Sequence, residues 1–533
     1  MSRFWLFASW LFCSSCNLNT KEETVNKDFS RHKNEVNTIN KFTFNKADPV
    51  VTFSSPQKLR AYRNFQKGIK YKISGVFSGF WFWDPNDLSS KDNTGTIIVT
   101  SNGKRIKRIY SGPANIDWFG AISGNKSFDN SFVIQNALRS VKNIFFTAHS
   151  KYYIKKQILL TRCNNLILDM TGSTIININY DSKTILFDHC NNVTLKGGIL
   201  TRPIVPNIQN NKDQHTVNFI GCKDVKVSNM TILNSPETGI CLMNVINADI
   251  INNKIEHTLR DGIYSHYSFN LKYIGNKLSF IKDDALSIHD YGKLEEKPEL
   301  IKAGHQQAGF SLISKNIIFN AIQGISSIGC SSLVIENNVI TRTANAGIAV
   351  FNSEQLASGK TARVNNIKIK NNRLIDCGDT VKVNGIIVRN GGQLSSGRAA
   401  LYIACNSNGA DQRFMDSKLR LSKIVVAGNY VFNSGVNGAL FYNVDDLSVM
   451  SNKFVNCHSN TTNAPQFTGN IVEMFNCTKV SVYANEVLDT RKQPLHDSSY
   501  LIDNSSGKFS KGKTKGWRSF EIKITNSPNL LLN

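Results

Sequence analysis

The sequence predicts an all-β solenoid in which short strands stack coil upon coil. A phrase of one small or apolar residue, two further residues and then a β-rich run recurs along the chain. Neighbouring copies at Cys222–Val225, Val245–Ala248 and Ser268–Leu271 begin 23 residues apart. The β-rich segments alternate apolar and polar residues over about five positions, which is typical of strands. They lack the 3.6-residue periodicity of helices, so the repeat favours a β solenoid over a helical one.

The first residues predict export. Arg3 is followed by the apolar stretch Phe4–Phe12 and then by small residues before Cys16. This order is typical of a signal peptide, and it resembles a bacterial lipoprotein signal over 1–16 with Cys16 as the lipidated residue. An ordinary cleaved signal is the alternative. Residues 17–45 are polar and rich in Asn, Lys and Thr, which predicts a flexible tether.

Charge and hydropathy limit the partners. The net charge of +24 suits either a polyanionic partner or a lysine-rich surface without a specific role, and the even spread of lysines favours the second. No nucleic-acid-binding motif is found, so no nucleic acid is expected. No long apolar run follows the first dozen residues. We therefore expect a monomer, exported to the bacterial envelope or secreted, that contacts membranes only through a lipid anchor.

A small β module is predicted over 46–115, before the solenoid. It contains strand-like runs at Val50–Phe53, Tyr71–Phe77 and Thr96–Thr100. The cluster Phe80–Trp83 is interpreted as the core of this module, with stacking on sugar rings as the alternative.

The solenoid is predicted over 116–533. Its entry holds Trp118–Ala121 and then a helical stretch with Ile134, Leu138 and Val141 on one face. These residues at the start of the solenoid and the 23-residue repeat together resemble the right-handed, single-stranded parallel β-helix of the pectate lyase-like superfamily. The resemblance implies that the helix caps the open end of the β-helix, where strand edges would otherwise be exposed.

Nine cysteines follow the signal region. Their odd number and the absence of a CxxC motif argue against a disulfide framework or a zinc site. Because several stand at coil corners, we interpret them as small apolar side chains that point inward.

Polar residues recur on neighbouring coils. Asp261 and Asp284 are 23 residues apart, and so are His266 and His289. Equivalent residues on adjacent coils lie roughly 4.8 Å apart, so each pair is expected to stack, and Asp283 adds a third carboxylate. Crowded carboxylates shift each other's pKa and can separate into the acid and the base of glycosidic bond cleavage. The alternative is that Asp261 and Asp284 only hydrogen-bond corner amides.

Asp261-Gly262 followed one coil later by Asp283-Asp284 resembles the polygalacturonase-like hydrolases. The resemblance implies that the three aspartates supply the acid and the water-activating base of an inverting hydrolysis. The Asp pair also resembles that of β-helical α-galactosidases. Leu259-Arg260 stands where polygalacturonases carry Asn-Thr, and Ile322-Gln323-Gly324 stands where they carry Gly-His-Gly. A relative with a different substrate is therefore predicted.

A uronate lyase of the same superfamily remains the runner-up. It would neutralise the substrate carboxylate, with calcium held by the aspartates or with basic side chains, and remove a proton with a base. Candidate bases are Lys282, His266, Tyr264 and Arg260.

The expected function is an exported glycoside hydrolase that cleaves a poly- or oligosaccharide, with an acidic glycan among the candidates, and that needs no cofactor. A non-catalytic glycan-binding or adhesive β-helix is the alternative from another class. Strand alternation points Tyr264, His266, Ser287 and His289 outward, which predicts an external groove beside an insertion at 291–309. The predicted substrate contacts are Arg260, Tyr264, Gln323, Arg342 and Arg389.

Overall fold

The structure is a computed structural model. It describes residues 49–205, 207, 213–290, 310–353, 364–389, 396–406, 420–459, 469–492, 497–516 and 521–533. The predicted signal peptide 1–16, the lipidation candidate Cys16, the tether 17–45 and the insertion 291–309 lie outside these residues. Within the described part, no helix has the length and apolar character needed to cross a membrane.

The N-terminal module is a five-stranded sheet. In sheet order its strands are Val50–Phe53, Lys70–Ile73, Gly79–Asp84, Arg105–Ile109 and Ile97–Val99. The first two strands are parallel, whereas the others pair antiparallel. A short helix, Pro56–Ala61, packs on the sheet, and the Ser55 side chain accepts a hydrogen bond from the amide of Lys58 at its start.

The aromatic cluster of this module serves mainly as its core, as predicted. Trp81 and Phe82 are buried, whereas Phe80 is 43 % exposed. The guanidinium of Arg108 lies 4.5 Å from the ring centre of Trp81 and 4.4 Å from that of Trp118. This contact joins the module to the entry of the β-helix.

A capping helix follows the 3-10 turn Ile116–Phe119. The helix spans Ser131–Ser140 and ends at Val141, whose amide donates to the carbonyl of Ala137. Ile134 and Leu138 are buried in the core cluster that fills the β-helix. The helix therefore covers the first coil, as predicted.

The rest of the described chain forms a parallel β-helix. One 15-stranded sheet, which we call the first face, consists of Ala114–Asn115, Asn143–Phe145, Asn164–Asp169, Asn191–Lys196, Lys223–Ser228, Ile246–Ile251, Phe269–Ile274, Ser311–Ser314, Leu333–Glu336, Asn365–Lys370, Leu421–Ala427, Val444–Met450, Val480–Tyr483, Gly507–Phe509 and Leu530–Leu532.

A 24-stranded sheet carries the second and third faces of each coil. Its strands are Lys151–Ile154, Ile158–Thr161, Thr174–Asn177, Ile185–Asp188, Ile199–Thr201, Val217–Ile220, Thr231–Ser235, Ile240–Met243, Lys254–Thr258, Ile263–His266, Lys277–His289, Ile317–Ile328, Val339–Thr343, Ile348–Ser353, Arg373–Cys377, Ala399–Asn406, Tyr430–Phe432, Asn437–Tyr442, Lys453–Val455, Asn470–Phe475, Glu486–Leu488, Ser498–Asp503, Lys513–Lys515 and Ile522–Thr525. A hairpin of Val381–Val383 and Ile386–Val388 lies outside the coils.

A ladder of buried asparagines marks the corner between the first and second faces. Each side-chain amide except that of Asn485, the last member, donates to the side-chain oxygen of the asparagine on the next coil, at 2.9 to 3.0 Å. The members are Asn253, Asn276, Asn316, Asn338, Asn372, Asn429, Asn452 and Asn485. Since each side chain also bonds backbone groups of neighbouring coils, the ladder satisfies corner groups that would otherwise be buried without partners.

The interior is a continuous column of aliphatic and aromatic side chains. Phe187 and Phe219 stack with ring centres 4.7 Å apart, and each fully buried side chain of this size stabilises the fold by about 1.5–3 kcal/mol. The nine described cysteines are all free, as predicted. Most belong to the core, but Cys241 is an exception, because it lies in the strand register beside Tyr264 on the outward side.

Candidate active site

The register brings the predicted pairs together. Tyr264 pairs with Ser287 and His266 with His289 on adjacent strands of the third face. The amide of Gly262 donates to the carbonyl of Asp284 at 3.0 Å, which places Asp261 beside Asp284. The predicted columns are therefore observed at the corner between the second and third faces.

An irregular corner holds the aspartate pair. The strands Lys277–His289 and Ile317–Ile328 run through the corner at which the other coils break into two strands. Their pairing shifts between Ile281 and Asp284, so two residues of one strand oppose one of the next. Such a bulge re-aims side chains. Here it accommodates Asp283, which is half-buried, immediately before the buried Asp284.

Asp261 is 1 % exposed. Its Oδ1 accepts a hydrogen bond from the hydroxyl of Ser287 at 2.9 Å. Its Oδ2 lies 3.7 Å from a guanidinium nitrogen of Arg260 and accepts no hydrogen bond from the described residues. Burial, followed by the charge of Asp283, raises the pKa of Asp261 to about 7.

Asp283 has a similarly shifted pKa. Burial and the charge of Asp284 raise it to about 7, against the opposing charge of Arg260. Asp261 and Asp283 thus keep protons at a pH at which an ordinary carboxylic acid is ionised.

Asp284 receives more hydrogen bonds than Asp261. Nε2 of Gln323 donates to its Oδ1 at 2.9 Å, and Nε2 of His289 lies 3.3 Å from its Oδ2. Burial raises the pKa of Asp284 to about 6, whereas hydrogen bonds from Ser326 and Gln323 and the charge of Arg260 lower it. Burial lowers the pKa of His289 to about 4, so this imidazole is neutral near pH 7 and its contact with Asp284 is not an ion pair.

Arg260 provides the positive charge of the cluster. Its Nη1 lies 3.1 Å from Oε1 of Glu237 on the preceding coil, and its Cζ lies 5.6 Å from the ring centre of Tyr264. Burial acts to lower the pKa of Arg260, but the charges of Asp261, Asp283 and Glu237 raise it above its ordinary value. Arg260 is therefore shared among carboxylates of the protein.

A second group of acidic and imidazole side chains adjoins this site and was not predicted. Asp213, His215 and Glu237 have potential ligand atoms that all lie within 4.8 Å of one another, the one such trio found among the described residues. Lys183 forms an ion pair with Asp213. Glu237 stands 23 residues before Arg260, so the coil period could have revealed it.

The side chains that were predicted to line an open groove are mostly buried. Tyr264 is 9 % exposed, Ser287 0 % and His289 6 %, although they lie on the outward side of their strands. Only His266 of the four is half-buried rather than buried. The site is a buried polar cluster, in which Gln323 donates to Asp284 and Ser396 donates to Gln323.

Two predicted substrate contacts lie elsewhere. Arg342 is exposed and lies 5.8 Å from the ring centre of Phe319 on the second face. Arg389 is exposed directly after the hairpin strand Ile386–Val388. In contrast, the predicted contacts Arg260, Tyr264 and Gln323 belong to the carboxylate cluster.

The arrangement combines two functions in one site. Asp284, with several donors, is stabilised as an anion that can accept a proton. Asp261, with one donor and deep burial, retains a proton that it can give away. A proton acceptor and a proton donor side by side are the minimum for hydrolysis of a glycosidic bond.

Two family models match parts of this chain. Residues 157–297 match a family described as a right handed beta helix region, and residues 52–111 match a phage tail protein small four-stranded beta-sheet domain. With the parallel register, these matches confirm the predicted right-handed parallel β-helix and its small N-terminal β module.

A curated relative is a capsule K1-specific depolymerase of Klebsiella phage K64-1. It is 32 % identical over 87 residues, which cover 16 % of this chain and 10 % of the depolymerase. The chain thus aligns with only a small part of that protein.

Among solved structures, the surface adhesin PfbA of Streptococcus pneumoniae gives a TM-score of 0.47 at 16 % identity, over 79 % of this chain and 92 % of PfbA. A GH87 alpha-1,3-glucanase of Streptomyces thermodiastaticus gives a TM-score of 0.46 at 13 % identity, over 81 % of this chain and 74 % of the glucanase catalytic unit. Tailspike protein 2 of bacteriophage CBA120 gives a TM-score of 0.43 at 13 % identity, over 93 % of this chain and 64 % of the tailspike chain.

Proposed function

We propose that this protein is a polysaccharide-degrading enzyme that hydrolyses glycosidic bonds at Asp261, Asp283 and Asp284. The observation that carries the proposal is the covered cluster of three carboxylates on two adjacent coils, in which the partners of each carboxylate differ. The match to a capsule depolymerase supports a polysaccharide substrate.

Asp284 acts as the base in this proposal. It removes a proton from a water molecule while the water oxygen attacks the anomeric carbon. Asp261 acts as the acid and gives its proton to the leaving glycosidic oxygen as that bond breaks. One proton is thus taken up and one is released, and each of the two product chains gains a hydroxyl group where the glycosidic bond was broken.

The remaining cluster residues tune this pair. When Asp283 ionises, its charge raises the pKa of Asp261, so Asp261 retains its proton. His289, neutral near pH 7, contacts Asp284 and the hydroxyl of Ser326, and so orients the base. His266, one coil before His289, contacts the ring of Tyr267 at 4.0 Å between centres and lines the same column.

Hydrolysis fits the cluster better than elimination does. A lyase must neutralise the carboxylate of a uronate, but Arg260 already lies against Glu237 and Asp261. The ionised carboxylate of Asp284 beside the reacting sugar would also repel an anionic ring. We therefore propose a neutral sugar at the point of cleavage, even if the polymer carries charges elsewhere.

We also propose that the protein acts outside the cell or at a surface. The similarity of residues 52–111 to a phage tail domain and the depolymerase match support this location. The lipid anchor at Cys16 remains a prediction. Mass spectrometry of the native N-terminus tests it, and an N-terminus that carries no lipid would remove the anchor.

The decisive experiment is product analysis on a panel of neutral and acidic bacterial polysaccharides. The native protein should release saturated oligosaccharides, and Asp284→Asn should reduce turnover by about a hundredfold or more because it removes the base and retains the volume. Asp249→Asn, a half-exposed aspartate of the first face paired with Lys272, is the matched control.

Two results would contradict the proposal. The first is near-normal turnover of Asp284→Asn on the identified substrate. The second is a product that absorbs in the ultraviolet as an unsaturated uronide, which would establish the lyase reaction instead.

A further inference from the structure

We infer that Ser396 is a positioning residue for the proposed base: its hydroxyl holds the side-chain amide of Gln323 so that the amide N–H faces Asp284. The naming of Asp284 as the base rests on the proposed function. The hydrogen bond between Ser396 and Gln323 does not depend on that proposal. It is present in the structure and joins residues that are 73 positions apart in the chain.

The three side chains form a buried relay. The hydroxyl of Ser396 donates to Oε1 of Gln323, and Nε2 of the same amide donates to Oδ1 of Asp284 at 2.9 Å. Gln323 is 5 % exposed, and Ser396 and Asp284 are each 8 % exposed. Because the relay is shielded from water, neither end of the amide readily exchanges its partner for solvent.

The turn that carries Ser396 is itself fixed. Ser396–Arg398 is one 3-10 turn, and Nη1 of Arg398 donates to the hydroxyl of Tyr442 at 2.8 Å. Nη2 of Arg398 lies 3.7 Å from Oε2 of Glu473, which is fully buried. The turn is thus attached to later coils at one end and to Gln323 at the other, so it braces the proposed base from outside the β-helix.

Loss of the Ser396 hydroxyl should act on the protonation of Asp284. Without it, the buried Oε1 of Gln323 has lost its donor, which is costly. If the amide turns over, Oε1 faces Asp284 and can accept a hydrogen bond only from the neutral carboxylic acid. The neutral form of Asp284 then gains a hydrogen bond and the anion loses one, so the pKa of Asp284 should rise.

Four other charged or titratable groups of the described residues face Asp284. They are Asp261 and Arg260 from the preceding coil, Asp283 from the same bulge, and His289 from the same strand. Ser396 bonds to Gln323, an uncharged residue, so a change at position 396 reaches Asp284 through that amide and leaves these four groups in place.

The first test is the pH dependence of kcat/KM for Ser396→Ala. The base must be ionised, so the acidic limb of the profile reports it. This limb should move up by about one to two pH units, because the Asp284 anion loses a charge-assisted hydrogen bond. Ser396→Thr, which keeps the hydroxyl, should restore the native limb.

A matched control removes a buried serine hydroxyl elsewhere. Ser434 is fully buried and donates to the carbonyl of Cys377 at 3.1 Å, on a later coil. Ser434→Ala should lower stability without moving the acidic limb. If the acidic limb does not move in Ser396→Ala while activity falls, Ser396 has only a structural role and the inference is overturned.

The second test needs no substrate. Thermal unfolding of the native protein and of Ser396→Ala is followed from pH 5 to pH 9. Below pH 6 Asp284 is neutral in both folded proteins, so the difference between their Tm values is constant. Above pH 6 Asp284 ionises first in the native protein, because its pKa is lower there. The Tm difference therefore grows until Asp284 is ionised in both proteins. In an Asp284→Asn background the difference should be independent of pH.

The two tests separate the two claims. If no polysaccharide is cleaved but the Tm difference depends on pH only when Asp284 is present, the positioning role stands and the proposed function fails. If Ser396→Ala gives the same pH dependence in the native background and in the Asp284→Asn background, the positioning role fails, whatever the activity.

Discussion

Ser287 and Asp261 are joined by a hydrogen bond across two coils: the serine hydroxyl donates to Oδ1 of the aspartate at 2.9 Å. Ser287 pairs in register with Tyr264, three residues beyond Asp261. Both side chains are almost fully buried. The bond therefore stabilises the ionised form of a carboxyl group whose burial favours the neutral form.

Replacing Ser287 by Ala should raise the pKa of Asp261 further, because the anion loses its hydrogen-bond donor. As Asp261 is the proposed acid, the alkaline limb of the kcat/KM profile should move up by about one pH unit. Ser287→Thr is the control that keeps the hydroxyl. An alkaline limb that does not move would assign the acid role to another group.

Stability should depend on pH through the same carboxyls. The folded-state pKa values of about 6 to 7 lie above the ordinary value of about 3.9. The folded state therefore binds protons more tightly than the unfolded state, and this contribution to stability is present at low pH and is lost as pH rises from about 4 to about 7.

The variant that isolates this effect is Asp261→Asn, which cannot ionise. At pH 8 it should be more stable than the native protein by about 2 kcal/mol or more, and the advantage should vanish near pH 4. Denaturant unfolding at the two pH values measures it, with Asp249→Asn as the control. A stability difference that is equal at both values would contradict the raised pKa.

The asparagine ladder should be a strong determinant of stability. Asn316 bonds the side chains of Asn276 and Asn338 and the carbonyl of Tyr273. Asn316→Ala should lower the free energy of unfolding by about 3 kcal/mol or more, since it leaves buried groups without partners. The exposed Asn191, which donates to Asn164 on the first face, provides the control substitution, with a cost below about 1 kcal/mol.

Chelation should leave the rate unchanged, because the proposed steps use only a proton given by Asp261 and a proton taken from water by Asp284. Activity is measured before and after treatment with EDTA. A loss of activity that added calcium restores would favour the lyase reaction, in which hard oxygen ligands hold the cation.

Much of the fold follows from the sequence alone. The 23-residue period fixes how far the chain travels per coil, so residues such as His266 and His289 must stack wherever the period holds. The capping helix was predictable because its apolar face is a local pattern and because it covers only the first coil. Arg260 and Gln323 were found because they stand next to, or one coil after, the predicted aspartates.

The tertiary structure decided what surrounds these columns. Ser396 reaches Gln323 from 73 residues away, and no repeat specifies the path of the connecting chain. Exposure was decided in the same way: strand alternation states which side of the sheet a residue such as Ser287 occupies, but not whether another segment covers it. Arg342 and Arg389 were placed in the site because of their charge, whereas the coil geometry puts Arg342 on the second face and Arg389 after a hairpin. The sequence thus determined the stacking along the solenoid axis, which is local and periodic, whereas the contacts across its outer surface depended on long connections that only the folded chain positions.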